Sequence, residues 1–254
     1  MMNFNLYSKY YDLFYSDKEY LIETEYVIKR LKESSNIQLD VLLELGGGSG
    51  NHAIHFSSFF KEIYGVELSQ SMVEIAQNRN VPNYNVVQGD ITNIHFPDKH
   101  FDCAVSLFHV ISYLNTNEQL LNCFRSINKQ LKQNGIFIFD VWFTPAVYSL
   151  KPETRIKKIQ NNEISVTRIA QSTIDYKSSI VNVNYSIFVE EMHTKEFSKF
   201  EETHSMRHFT FNEIQLIANS TGFEIVKTEE FLTGKSPSNE TWGCMFVIRK
   251  KNEI

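Results

Sequence analysis

Val41-Leu42-Leu43-Glu44-Leu45-Gly46-Gly47-Gly48-Ser49-Gly50 decides the fold. Five residues of strand character carry one acid and run into a glycine-rich turn. Glycines at 46, 48 and 50 let the backbone turn tightly and let a ligand approach with no Cβ in the way. Asn51-His52-Ala53-Ile54-His55-Phe56 then reads as the start of a helix, whose free N–H groups face whatever sits on the loop. A dinucleotide fingerprint needs a glycine where Asn51 stands, and a phosphate-cradling P-loop needs a lysine after Gly50. A plain glycine-rich turn is the remaining reading of this stretch alone.

Two further stretches weigh against a plain turn. Ile63-Tyr64-Gly65-Val66-Glu67 is a second short apolar run ending in an acid, and Val86-Val87-Gln88-Gly89-Asp90-Ile91 is a third. In an open parallel sheet, ligands bind beyond the carboxyl ends of the strands. Glu67 could accept hydrogen bonds from both hydroxyls of a ribose, and Asp90 from an adenine amino group. The constellation resembles class I S-adenosylmethionine (SAM)-dependent methyltransferases. The matching motifs are Glu44 to Gly50, then Glu67, then Gly89-Asp90-Ile91. The resemblance implies a Rossmann-like α/β fold: a doubly wound, mostly parallel seven-stranded sheet.

Outward from the loop, strand and helix patterns alternate over residues 41–140, as a doubly wound sheet requires. Ser69 or Ser71 can cap a helix carrying Met72, Val73, Ile75 and Ala76. Phe101 to Leu107 is apolar on both faces, which suits a central parallel strand. The spacing predicts a helix over 118–131, ended by Asn134-Gly135, and a fifth strand over 136–140. Between 141 and 210 alternation replaces helical spacing, notably at 164–169, 180–189 and 204–209, and suggests antiparallel strands. Thr210 caps a helix over 211–221, Gly222 stops it, and strands follow at 224–231 and 244–249. The expected divisions are a helical cap over 1–40, a SAM-binding core over 41–146, an antiparallel insertion covering the active site over 147–210, and completion of the core sheet over 211–254. In the cap, Leu21, Ile22, Tyr26, Val27 and Leu31 share one side of a helix over 18–32 that could lid the site.

The chain has 254 residues and 42% hydrophobic content, enough for a large packed domain. Its net charge of −5, with no long basic run, argues against duplex nucleic acid as partner. No leader pattern and no membrane-spanning run is read, and Cys103, Cys123 and Cys244 suggest buried thiols in a reducing cytoplasm. No metal site is expected, since His52 and His55 lack a carboxylate at ligand spacing.

The resemblance extends to bacterial N,N-dimethyltransferases of nucleotide-linked (dTDP) amino sugars, enzymes of carbohydrate biosynthesis. It rests on Tyr10-Tyr11-Asp12-Leu13 with Lys18-Glu19-Tyr20, Phe108 to Leu114, Asp140 to Pro145, and Ser205-Met206-Arg207. By position it implies that Tyr11 and Tyr20 hold the methionyl part of SAM with the glycine loop, that Glu67 takes the ribose and Asp90 the adenine, and that Met72 packs on the adenine face. His52, Leu68, Ile91, Leu107 and Phe108 complete the expected cofactor set with Glu44, Gly46, Gly48 and Gly50. Tyr113, His109 and Tyr11 are the catalytic candidates, and Tyr7, Trp142, Arg207 and Lys235 the substrate-binding ones. A histidine of such enzymes aligns with Tyr113 here, and their sugar-nucleotide arginine has no match between Ser236 and Gly243. Arg168 joins Arg207 and Lys235 as a cation that could meet a phosphate. A homodimer through the insertion is implied by the same likeness. Two alternatives stand beside this reading: O-methylation of a carbohydrate or a phosphate-containing surface-glycan precursor, and a non-catalytic SAM-type binding protein.

Overall fold

The computed structural model describes residues 8–251. In chain order the elements are α1 (Ser8–Phe14), α2 (Tyr20–Ser34), β1 (Val41–Leu45), α3 (Asn51–Phe56), β2 (Glu62–Glu67), α4 (Gln70–Asn78), β3 (Tyr84–Gln88), β4 (Phe101–Ser106), α5 (Asn117–Gln130), β5 (Leu131–Phe143), α6 (Thr144–Leu150), β6 (Arg155–Gln160), β7 (Ile164–Asp175), β8 (Ile180–Glu191), β9 (Phe197–Phe209), α7 (Phe211–Ser220), β10 (Phe223–Glu230) and β11 (Gly243–Lys250). The core sheet runs β3-β2-β1-β4-β5-β11-β10, parallel except for β11, which is antiparallel to both its neighbours. This is the doubly wound α/β sheet that the alternation implied.

Helices cover both faces because the central strands are apolar on both. Phe124 of α5 packs edge-on against Phe137 and Phe139 on one face, while Val27 and Leu31 of α2 join Leu42, Val105 and Ile138 on the other. Fully burying such a side chain contributes roughly 1.5–3 kcal/mol. Helix starts follow their caps: Ser69 accepts from the Met72 N–H, and Thr116 and Thr210 form capping boxes with Gln119 and Glu213.

Two local expectations change. Leu21 and Ile22 are about half exposed (49% and 51%), because the buried stripe of α2 runs through Glu23, Thr24, Val27, Leu31 and Ser34 instead. Asn134-Gly135 does not end a helix. α5 stops at Gln130 and β5 begins at Leu131, pairing with Phe101, so the left-handed Asn134 (φ 61°) sits inside the strand, and the pairing with β4 shifts register there.

β6 to β9 form an antiparallel sheet with long registers. Its attachment to the core positions the site. β4 ends at Ser106 opposite Phe139, while β11 holds the other edge of β5 as far as Trp142. The edge that β4 vacates pairs with β9 at Trp142↔His208 and Phe143↔Phe209. The antiparallel sheet therefore stands above the carboxyl end of β4. α1 packs on this sheet, with Tyr10 and Phe14 against Val166, Ile187 and Val189.

Candidate active site

A cleft of about 400 Å³ opens at the carboxyl ends of β1, β2, β4 and β5, within the usual range for small-molecule sites. Its floor is the glycine loop. Gly46 N–H donates to the Val66 carbonyl at 2.8 Å, tying the loop to β2. A Cβ on Gly46 would meet the Val110 side chain at 2.6 Å, whereas a Cβ on Gly48 (φ +56°) would meet nothing within 4 Å. Gly48 thus presents open backbone to the cleft. Glu67 stands beside it, accepting from Gly48 N–H at 3.0 Å and Ser69 N–H at 2.9 Å. A carboxylate has about four lone-pair sites, so it keeps acceptor capacity for a ligand. Burial pushes Glu67 above the usual carboxylate range, against the backbone N–H bonds that favour its charge.

Glu44 lies beneath this floor and does not line the cleft. Burial raises its carboxyl to about 7, the neighbouring Tyr84 hydroxyl opposes the rise, and the nearby Glu67 charge adds to it. A Cβ on Gly47 would meet the Tyr84 hydroxyl at 2.5 Å and Glu44 Oε2 at 2.8 Å, so this pair props the loop from below.

The wall after β4 is strained. Phe108 (φ 65°) and His109 (φ 62°) are consecutive non-glycine residues in left-handed backbone, a conformation that costs about 1–3 kcal/mol per residue. Asp140 at the end of β5 offsets it: Oδ1 accepts the His109 backbone N–H at 3.2 Å, and Oδ2 lies 2.6 Å from His109 Nδ1. Burial opposes ionisation of Asp140, but the charge and hydrogen bonds of His109 hold its carboxyl below the usual range. Gly243 makes room for the ring, since a Cβ there would stand 3.2 Å from His109 Cε1. Trp142 packs edge-on to His109, and Trp242 closes the same corner.

The antiparallel sheet supplies the far wall. Alternation along β9 turns His204 and Met206 toward the cleft, beside Val183 and Tyr185 of β8, Arg168 of β7 and Arg155 of β6. Tyr113, in the turn after β4, bonds His204 Nδ1 at 2.8 Å. The Arg168 guanidinium lies over the Phe14 and Tyr185 rings at 4.9 and 4.8 Å and reaches the Tyr15 hydroxyl at 3.3 Å.

α1 roofs the floor. Asp12 accepts from Ser49 Oγ at 2.6 Å and Asn51 Nδ2 at 3.0 Å and pairs with Arg79, while Tyr11 and Tyr15 face inward. Among the described residues no group of three His, Cys, Asp or Glu side chains could hold a metal ion, and no helix is long and apolar enough to cross a membrane. Cys103, Cys123 and Cys244 are free and buried.

A family profile described as a methyltransferase domain matches residues 43–139, the stretch from β1 to β5 that builds the floor and the strained wall. The chain carries a SAM-dependent methyltransferase domain. The chain is 26% identical over 226 residues to the dTDP-3-amino-3,4,6-trideoxy-alpha-D-glucopyranose N,N-dimethyltransferase of Streptomyces venezuelae, covering 88% of this chain and 91% of that one. It is 25% identical over 250 residues to YqeM of Bacillus subtilis (strain 168), which bears only a provisional methyltransferase designation; 98% of this chain and 97% of that protein are covered. Among solved structures, Streptomyces venezuelae DesVI superposes with a TM-score of 0.81 at 22% identity, covering 97% of this chain and 98% of that one. At that identity the superposition speaks for the fold.

Tyr11, Tyr20, Gly46, Gly48, His52, Glu67, Met72, Leu107, Phe108, His109, Tyr113 and Trp142 of the methyltransferase all line one cleft, as expected of a shared site. His52 lines the cleft, and its Nε2 lies 2.8 Å from Glu23 Oε2. Tyr7 lies outside the described residues. Gly50 is buried behind the loop as the left-handed N-cap of α3. Leu68 is 57% exposed, and Asp90 is exposed at the end of β3, where it caps the short turn containing Ile91; none of the three lines the cleft.

Two substrate-binding expectations need correction. Arg207 directly follows the cleft-facing Met206 on β9, so the two-residue period turns it to the opposite side, over Phe209 and 3.4 Å from Glu213. Lys235 is exposed on a loop that folds back onto α2, where a Cβ on Gly234 would meet Arg30 at 2.8 Å. Arg155, Tyr185 and His204 were not singled out. Alternation places His204 on one face of its strand, but only the register of the sheet says which face meets the cleft.

Proposed function

We propose that the protein transfers a methyl group from SAM to the amino group of a small polar acceptor, a nucleotide-linked amino sugar. One observation carries this reading: the cleft runs without interruption from the glycine floor to a far wall bearing Tyr113, Arg168 and Arg155. The floor fits SAM, because open backbone at Gly48 and the spare lone pairs of Glu67 suit a ribose hydroxyl pair. The aromatic Tyr11 and Tyr20 would flank the methionyl chain. Bound SAM supplies a methyl group activated by a sulfonium. The protein then needs to hold a neutral amine in line with it, and such positioning can lower a barrier by about 7 kcal/mol or more. Arg168, with Arg155 at the rim, provides planar donors suited to a phosphate on the acceptor. The dimethylation of dTDP-amino sugars by the Streptomyces venezuelae relative supports the acceptor class.

One observation favours a second reading. The Asp140–His109 pair has the form of a carboxylate orienting an imidazole base, which an amine does not need and an alcohol does. O-methylation of a carbohydrate or glycan precursor would use it.

Calorimetric titration with SAM and with S-adenosylhomocysteine, then a screen of amine against hydroxyl acceptors on nucleoside diphosphate sugars, tests both. Micromolar binding of both cofactors and turnover of an aminosugar nucleotide is the expected result. Absence of heat and of thermal stabilisation with either cofactor removes the reading; turnover of hydroxyl acceptors alone, lost in His109→Asn, moves it to O-methylation.

A further inference from the structure

We propose that the segment 231–242 between β10 and β11 selects the acceptor: Trp242 is the platform for the acceptor's sugar ring, and Glu229, outside the cleft, holds that platform in place. This rests on the reading of the cleft given above and names the part of it that would choose the sugar.

Strand order puts Trp242 on the acceptor side. The glycines and Glu67 of the floor lie at the ends of β1 and β2, whereas Trp242 immediately precedes β11, two strands beyond β4 on the other side. A methyl group passed at the end of β4 would thus have the floor on one side and Trp242 on the other. The indole stands edge-on to Trp142 at 5.3 Å, and both pack on the apolar group that contains Val183 and Met206. His109 stands edge-on to Trp142 and closes the corner. Among the described residues no protein group accepts the Trp242 indole N–H, although a half-buried indole usually finds a partner.

A sugar ring suits this corner. One face of a pyranose carries mainly C–H bonds, whose slight positive charge meets the negative face of an aromatic ring. Its hydroxyl and amino groups project from the edge. An apolar wall would leave them unpaired, so they must turn toward His109 and the polar residues of the cleft. The platform therefore fixes how the ring lies, and with it which substituent reaches the methyl group.

An indole on a connecting segment can do this only if the segment is held. At the neck, Phe231 N–H donates to the Gly243 carbonyl at 3.1 Å, and Phe143 N–H donates to the Trp242 carbonyl at 3.0 Å. The buried Thr241 donates its hydroxyl to Glu230 Oε2 at 2.8 Å and accepts the Ser238 N–H at 3.0 Å. At the far bend the fastening is Glu229, only 1% exposed. Its Oε1 accepts from Tyr26 at 2.6 Å and from Arg30, both on α2, and Lys227 Nζ lies 3.0 Å from Oε2. Burial opposes ionisation of Glu229, but Tyr26, Lys227 and Arg30 hold its carboxyl below the usual range. The bend rests directly on this group. Gly234 is left-handed (φ +70°), a Cβ there would meet Arg30 Nη2 at 2.8 Å, and Phe231 stands edge-on to Tyr26 at 5.7 Å. Glu229 lines no part of the cleft, so it is a positioning residue; Trp242 is the one that touches the acceptor.

Two measurements test it. The first needs no ligand: hydrogen exchange of the full-length protein at pH 7. Glu229→Ala and Thr241→Val should speed exchange of the amides of 231–242 about tenfold or more, with β4 and β5 unchanged. Glu229→Gln, whose carbonyl oxygen still accepts from Tyr26 and Arg30, should stay within about threefold of wild type. Unchanged exchange in both Glu229→Ala and Thr241→Val overturns the fastening. The second uses SAM with a thymidine-diphosphate-linked amino sugar. Trp242→Ala should raise the acceptor KM roughly tenfold to a hundredfold, with kcat within about fivefold and SAM affinity within about twofold. Trp242→Phe should recover most of that loss. Glu229→Ala and Thr241→Val should raise the acceptor KM about threefold to tenfold, in the order of their exchange. Thymidine diphosphate without the sugar should bind Trp242→Ala and wild type within about twofold. An unchanged acceptor KM in Trp242→Ala overturns the proposal. So does an equal loss of thymidine diphosphate affinity, which would put the base on the indole. If the wild-type protein binds SAM but methylates no such sugar, the assigned acceptor fails and the platform with it, while the exchange result still decides the fastening.

Discussion

The two walls of the cleft meet any ligand by different means. From Gly46 to Met72 the floor presents backbone and one carboxylate, held by bonds within a short stretch of chain. From Arg155 to Met206 the far wall presents side chains from four strands, each placed by the register of its neighbour. A backbone site can recognise what every SAM-dependent enzyme of this fold shares. A side-chain site can be changed one residue at a time without disturbing the sheet, which is where acceptor choice belongs.

The sharpest way to break this division is Glu67→Ala. Two charge-assisted bonds to a ribose are worth about 1.5–3 kcal/mol each, so SAM affinity should fall on the order of a thousandfold by calorimetry. Affinity at the wild-type value would mean that the floor is not the cofactor site.

Glu44→Gln tests the support under the same floor. The native carboxyl keeps its proton up to about 7, whereas in the unfolded chain it loses it near its ordinary value of 4.5. Folding thus takes up a proton between those values, and wild-type stability declines as pH rises through that window. The full loss, on the order of 3 kcal/mol, is present above pH 7. Glutamine cannot ionise, so the melting advantage of Glu44→Gln over wild type should grow from pH 5 to pH 8. An advantage independent of pH would show that burial does not raise this acid.

The smaller effects belong to the far wall. Arg168→Met should raise the acceptor KM about tenfold and leave SAM affinity within twofold, as loss of one charged hydrogen-bonding partner predicts. Arg155→Met, at an exposed rim position, should cost only about threefold and lose most of that in high salt. Equal effects of both substitutions on SAM and on acceptor would erase the distinction between the walls.

The same contrast explains what was legible beforehand. Gly46, Gly48, Glu67 and Met72 reach the cleft from local patterns alone, glycines in a turn, an acid at a strand end and a capped helix, whereas Glu44 and Gly50 of the same motif lie behind it. Leu21 and Ile22 were misassigned to a buried face because helical spacing admits more than one stripe, and packing against Leu42 and Ile138 chose the one through Val27 and Leu31. Arg207 was offered as a phosphate partner because it is a cation beside Met206, but a one-residue difference in a strand reverses the face.

The sequence by itself determined the doubly wound sheet, the glycine floor and the acid beside it, since each follows from hydrophobic period and backbone conformation over fewer than about ten residues. Only the tertiary structure decided that β9 would take the edge of β5 left free beyond Ser106, and with it the meeting of Tyr113 with His204, the turning of Arg168 inward and of Arg207 outward, and the pairing of Asp140 with His109. Those contacts join residues 31 to 91 positions apart, and their partners are chosen by strand pairing, which no local pattern encodes.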